Sequence, residues 1–261
     1  MQKYIYGLVL SIAFVANAYG CNLMAVGDQI TRGDGSINGY REPLQIRLDA
    51  AGLSCNFVGD QSDGQDSDPT DGVTFDPHWQ GSTNLFADVL AESIGSKVAQ
   101  YHPDIVLLNI GTYDVLVQVV RNGPGTSLQP PFLAALDVVN VVDIIHATSP
   151  STQIVVMIPG RGNPRNTLLV DLGSNVLALM RMRTFASVLD WGAILVAPSD
   201  YVALELPNQL GAKKIADAIF SAVEPRVRAL NTPPPVPVPT ALWLFGSALC
   251  GLTMRRRHVM I

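Results

Sequence analysis

The stretch Asn22 to Gly33, N-L-M-A-V-G-D-Q-I-T-R-G, has the residue types and spacing that most directly raise the question of chemistry. Leu23-Met24-Ala25-Val26 is a short apolar run that reads as a buried strand. Gly27-Asp28 then demands a sharp turn, since glycine tolerates backbone angles that a side chain forbids. Gln29 is thereby presented at the C-terminal edge of a sheet, where open α/β sheets bind ligands. A hydroxyl at that place, with a base to take its proton and preorganised donors for an oxyanion, would perform acyl transfer. A glutamine amide is a poor nucleophile and has no proton that a nearby base could usefully remove.

Further blocks follow in order. Gly39-Tyr40-Arg41-x-Pro43-Leu44 and Phe57-Val58-Gly59 come first, then I-V-L-L-N-I-G-T-Y-D over Ile105 to Asp114. The last is D-Y-V-A-L-E-L-P-N-Q-L-G over Asp200 to Gly211, followed by Ala212-Lys213-Lys214-Ile215-Ala216. Taken together, from Asn22 to Leu230, the blocks resemble the SGNH (GDSL-type) hydrolases, in particular their carbohydrate-esterase branch. That family reads G-D-S-I-T-x-G in its first block, L-x-x-G-T-N-D in its third and D-G-L-H-P-N-x-x-G-Y in its last. The resemblance implies a nucleophile position at Gln29, oxyanion-donor positions at Gly59 and Tyr113, an acid position at Ala203 and a base position at Leu206. Only the glycine is kept. Asp28, Ile30, Thr31, Gly33, Gly111, Thr112, Asp114, Pro207 and Asn208 all fit the pattern, so the scaffold is preserved around the substitutions. A pseudoenzyme that kept its pocket and an altered form of an active parent both fit. The resemblance implies a protein inactive or severely impaired as an esterase, with an ester or acylated carbohydrate as ligand. The alternatives are a working esterase that uses other residues and a structural surface or matrix protein.

Of the four histidines, His78, in F-D-P-H-W-Q-G, is the one that could neighbour this pocket, because His102 precedes a strand, His146 lies near a helix end and His258 is in the tail. Asp60, Asp63, Asp66, Asp68 and Asp71 crowd one loop, but their spacing is not that of a calcium-binding EF-hand, and a solvated acidic loop is expected. No cysteine–histidine cluster points to zinc and no glycine-rich loop to phosphate, so neither a metal nor a cofactor is expected. The formal net charge of −5 argues against nucleic acid as a partner.

These positions need a frame. Helical spacing marks Tyr40 to Ala51, Asn84 to Tyr101, Pro131 to Ala147, most of Arg165 to Val188, and Leu210 to Leu230. Strands are expected at the first run, at Ser54 to Gly59, Asp104 to Ile110, Thr152 to Ile158 and Ala193 to Ala197. Alternation of the two predicts α/β: a three-layer α/β/α domain with a flavodoxin-like, parallel, five-stranded sheet. Cys21 and Cys55 begin neighbouring strands in that order and could form a disulfide or remain two buried thiols.

Both ends read as targeting segments. Lys3, the apolar run Tyr4 to Val15 and Ala16-Asn17-Ala18 fit a signal peptide over residues 1–18. A domain over 19–230 precedes a proline-rich linker over 231–240, T-P-P-P-V-P-V-P in its core. Residues 241–261 carry an apolar run, shorter than the about 20 residues of a full span, and then Arg255-Arg256-Arg257. This order resembles a PEP-CTERM sorting signal. It implies export to the periplasm, outer surface or medium, transient membrane association through the tail, and a sorting or processing machinery as partner.

Overall fold

Alternate residues of the central strands face opposite ways, and their side chains separate into two cores. The computed structural model describes residues 20–33, 38–67, 73–116, 130–159, 167–196, 198–202 and 206–232. The expected signal peptide, nearly all of the proline-rich linker, the apolar tail, Asp68, Asp71 and Ala203 lie outside the described residues.

Strands β1 (Cys21–Gly27), β2 (Cys55–Phe57), β3 (Gln80–Gly81), β4 (Ile105–Asn109), β5 (Gln153–Ile158) and β6 (Ala186–Asp190) form one parallel sheet. Its order is β2-β1-β4-β5-β6, with β3 pairing β1 where β2 has ended. Leu23, Ala25, Ile105, Leu107, Val155 and Met157 meet α2 (Arg41–Ala50) and α7 (Gln209–Asn231) on one face. Met24, Val26, Val106, Leu108, Ile154 and Val156 meet α3 (Ala87–Tyr101), α5 (Pro131–Thr148) and α6 (Thr167–Met180) on the other. Burial on both faces is why these strands are continuous apolar runs rather than alternating ones. The expected three-layer α/β fold is thus observed, with a two-residue sixth strand added. α5 is long and apolar enough to cross a membrane, but it packs between α3 and α6, with Val138, Val141, Val142 and Ile145 in the core.

Cys21 lies opposite Cys55 in the β1–β2 register, with Cα atoms 4.5 Å apart, and the two form a disulfide. Closing a loop of 34 residues restricts the unfolded chain by an amount worth about 4 kcal/mol in the chain-entropy model.

One expected element is corrected and another is narrowed. The helix expected over most of Arg165 to Val188 is Thr167–Met180. A turn follows in which Arg183 makes paired bonds of 2.7 Å to Asp143. The last strand is Ala186–Asp190, not Ala193 to Ala197. Residues Trp191–Ala193 form a 3-10 turn capped by Asp190, whose carboxylate accepts from the Ala193 amide at 3.1 Å. Of the described residues in that apolar run Leu195 is buried, at 5% exposure, while Ala193 and Val196 are exposed, so the run marks no strand. β6 is a half-buried edge strand and so lacks the apolar run of the central strands.

Candidate functional site at the strand ends

β1 stops at Gly27 because nothing larger fits there: a Cβ at this position would collide with the Asn109 carbonyl and the Thr31 hydroxyl. The chain then enters the short helix α1 (Gln29–Arg32). Asp28 caps it, its Oδ1 accepting from the Ile30 amide at 3.0 Å. The same oxygen lies 3.5 Å from Asn109 Nδ2, and Asn109 Oδ1 accepts from Trp191 Nε1 at 3.2 Å. Asp28, Asn109 and Trp191 are all buried. This polar chain ties the first turn to the end of β4 and to the segment after β6. A buried hydrogen-bonded network of this kind fixes the local geometry, because any broken link leaves a desolvated polar group.

Gln29 is half-buried and is the first residue of α1. Tyr113 lies in α4 (Thr112–Leu116), four residues beyond Asn109, and Asn109 pairs with Gly27 across β1 and β4. Tyr113 is also half-buried and meets Phe86 edge to face, centroids 5.1 Å apart. Leu206 packs against the α2–α7 core and shares a cavity of only about 10 Å³ with Ile30, Gly33 and Tyr40. The segment that contains Ala203 has its ends tied by the Val202 amide donating to Leu206 O at 2.8 Å. Gln29 and Tyr113 therefore follow adjacent strand ends, and Leu206 abuts the helix that Gln29 opens.

Gly59 follows β2 and is backed by the main chain of Trp79 and Gln80. The glycine next to the first turn is another one, Gly81. It pairs with Gly27 in the β1–β3 register, has φ +145°, and leaves no space for a Cβ against the Gly27 carbonyl. Its signal in the sequence is an isolated glycine closing the F-D-P-H-W-Q-G stretch, of the kind that can mark close backbone approach. Asn109 and Trp191 were also missed, although a lone polar residue closing an apolar strand, I-V-L-L-N, is informative in retrospect.

His78 is exposed, and its Nδ1 lies 2.6 Å from Asp76 Oδ1. Asp76 is itself fixed, its Oδ2 accepting from the Phe57 amide at 3.0 Å. The acidic loop is more engaged than a solvated one. Asp60 takes Lys97 and the Tyr101 hydroxyl, while Asp63 takes Arg32 and Trp79 Nε1. Among the described residues no group of three or more histidine, cysteine, aspartate or glutamate residues is arranged to hold a metal.

Asp114 is buried below α3 and accepts from the Ala87 amide at 3.1 Å through both oxygens. Desolvation pushes its carboxyl up to about 7, against the pull of that amide. The unfolded value is near 3.9, so the folded chain holds the additional proton between about pH 4 and pH 7. The stability this group contributes is therefore complete below about pH 4 and is lost as pH rises through 7. Urea denaturation should show the parent gaining stability relative to Asp114→Asn on going from pH 8 to pH 5. A pH-independent difference between the two would contradict the assignment.

A larger cavity, about 630 Å³, lies on the flank between α2 and α7 and adjoins the cavity at Leu206 through Gly39 and Ala212.

No family model matches the sequence, and no curated protein matches it. Solved structures do share the fold. A family 3 carbohydrate esterase from Clostridium thermocellum is 23% identical, with a TM-score of 0.67 over 82% of this chain and 100% of its own. A carbohydrate esterase family 3 protein from Talaromyces cellulolyticus is 20% identical, with a TM-score of 0.67 over 80% and 99%. A member of the lipolytic G-D-S-L family from Veillonella parvula is 14% identical, with a TM-score of 0.54 over 78% and 98%. At these identities the likeness shows a shared fold, that of the GDSL/SGNH hydrolases.

Proposed function

We propose that this protein is an exported, catalytically silent relative of the SGNH esterases that binds an ester or acylated carbohydrate at the strand ends without cleaving it. The observation that carries this reading is the contrast between frame and contents. The turn at Gly27-Asp28 is held by a buried hydrogen-bonded chain, as a reactive turn would need. Yet the side chain it presents is an amide, and Leu206 packs into an apolar setting beside Ile30 and Gly33. None of Gln29, Gly59, Tyr113 and Leu206 offers a group that can accept a proton at neutral pH. Hydrogen bonding to a ligand is what remains: the Gln29 amide both donates and accepts, and the Tyr113 hydroxyl can do the same.

The leader and the tail with its cluster Arg255-Arg256-Arg257 supply the export part of the proposal, with a sorting machinery and transient membrane contact as its partners. Acetylated xylo-oligosaccharide is the direct probe. Saturable binding, weakened by Gln29→Ala and unaccompanied by acetate release, is the expected result. Acetate release would instead favour a second reading, a working esterase. The specific observation behind that reading is the Asp76–His78 pair, an imidazole oriented by a carboxylate as a general base would be. In that case His78→Ala should abolish the release.

A further inference from the structure

We propose that the groove between α2 and α7 is an arm of the strand-end site that holds an uncharged hydrocarbon chain, so that the ester bound there carries a medium-length acyl group rather than acetyl. This inference rests on the strand-end reading given above and names the class of its ligand. The groove encloses about 630 Å³, within the range of about 300–1,000 Å³ typical of small-molecule sites. It reaches the strand ends through two residues. Gly39 and Ala212 line both this groove and the cavity that Leu206 shares with Ile30 and Gly33. Gly39 also rests on α1: a Cβ there would lie 2.7 Å from the Ile30 carbonyl oxygen and 3.0 Å from that of Thr31. The groove therefore ends against the short helix that Gln29 opens.

The lining decides what the arm holds. Its cations, Arg47 and Lys213, are matched in number by its anions, Glu42 and Asp217, so neither sign of ligand charge is favoured. Most of its polar groups are already engaged. Arg47 and Asp217 pair at 3.2 Å, and the Arg47 guanidinium also lies over the Phe220 ring. Glu42 accepts from Asn38 Nδ2 at 2.9 Å and from the Ser67 amide at 2.7 Å. Asn38 Oδ1 accepts from the Gln65 amide at 3.3 Å. What remains of the wall is mainly hydrocarbon, from Pro43, Ile46 and Ala50 on α2 and from Leu210 and Ala212 on α7. Ile46 and Leu210 are 37% and 51% exposed. An alkyl chain between them removes apolar surface from water and asks for no hydrogen bond, whereas the hydroxyls of a sugar would need free partners there.

Calorimetric titration of the folded protein with 6-O-octanoylglucose, kept below its micellar concentration, and with 6-O-acetylglucose tests this, since the two probes differ only in chain length. The octanoyl ester should bind at least about a hundredfold tighter, a fraction of what six fully buried methylenes would give, because Ile46 and Leu210 are themselves partly exposed. Ile46→Asp and Leu210→Asp should each cut that advantage about tenfold or more and leave the acetyl ester unchanged. Both residues lie at the surface, so these variants keep the fold, which circular dichroism checks. Gln29→Ala should weaken both esters by the same factor, because the shared head lies at the strand ends. Equal affinities for the two esters, or an octanoyl advantage that survives both groove variants, would overturn the proposal and leave the strand-end reading standing. Octanoyl binding that Gln29→Ala leaves unchanged would overturn it too, and the response of the acetyl ester to Gln29→Ala then decides the strand-end reading on its own.

Discussion

Four substitutions made together, Gln29→Ser, Tyr113→Asn, Ala203→Asp and Leu206→His, are expected to create esterase activity at least about a thousandfold above that of the parent. The scale follows from serine hydrolases, where loss of the triad costs on the order of a million-fold, so even a poorly positioned triad recovers a large factor. The frame supports the expectation. The turn that would carry the serine is already capped by Asp28 and braced through Asn109 and Trp191. The residue at 206 already abuts Ile30 and Gly33, on the short helix that Gln29 opens. Triad residues act as a unit, and their contributions do not add. Gln29→Ser alone should therefore do almost nothing, because its hydroxyl would have no partner to take the proton. If the fourfold variant folds and remains inert toward p-nitrophenyl acetate, the assignment of these positions is wrong.

Replacing Arg41 by methionine is expected to cost about 3–5 kcal/mol of stability, a large share of the about 5–15 kcal/mol available to a typical domain. Arg41 is fully buried. Its guanidinium donates to Thr31 O at 3.0 Å, Arg32 O at 3.0 Å, Pro77 O at 2.6 Å and Asp63 O at 3.2 Å. It also lies over the rings of Phe75 and Trp79. Burial lowers its pKa to about 10, which still leaves it charged at neutral pH. Removing it strands four carbonyls in an enclosed setting. It also frees α1 from the two loops around Asp63 and Pro77, so the turn that presents Gln29 loses its outer support. Lysine should not rescue, because one ammonium cannot reproduce a planar fork that serves four acceptors. Arg228→Ala, which removes an exposed pair with Glu224 one helical turn away, is the control and should change the stability from urea denaturation by less than about 0.5 kcal/mol. Equal shifts for the two variants would contradict the role assigned to Arg41.

The central strands and their helices were legible from sequence because burial on both faces writes itself as apolar runs such as I-V-L-L-N and Q-I-V-V-M-I. The same rule misled at the end of the sheet. In A-I-L-V-A, Leu195 joins the core but Val196 is 59% exposed, whereas the true edge strand A-S-V-L-D is half-exposed and carries little pattern. β3 was invisible for a different reason. It is two residues long, and its place is set by register with Val26 and Gly27 rather than by any local propensity. The positions around Gln29 were singled out through the blocks they sit in; the structure places Gln29 at the start of a short capped helix and Leu206 beside that helix. The braces were not legible. Asn109, Trp191 and Gly81 act through residues tens of positions away, so whatever their own neighbourhoods hint at, the partners cannot be read there.

The most direct measurement is hydrolysis of p-nitrophenyl acetate by the purified domain, read beside a heat-killed control, with intact-mass analysis of the same sample. The proposed lack of a proton acceptor among the residues at positions 29, 59, 113, 203 and 206 predicts a rate equal to the control and an unmodified mass. Turnover well above the control, or an acyl adduct on the native chain, would contradict it.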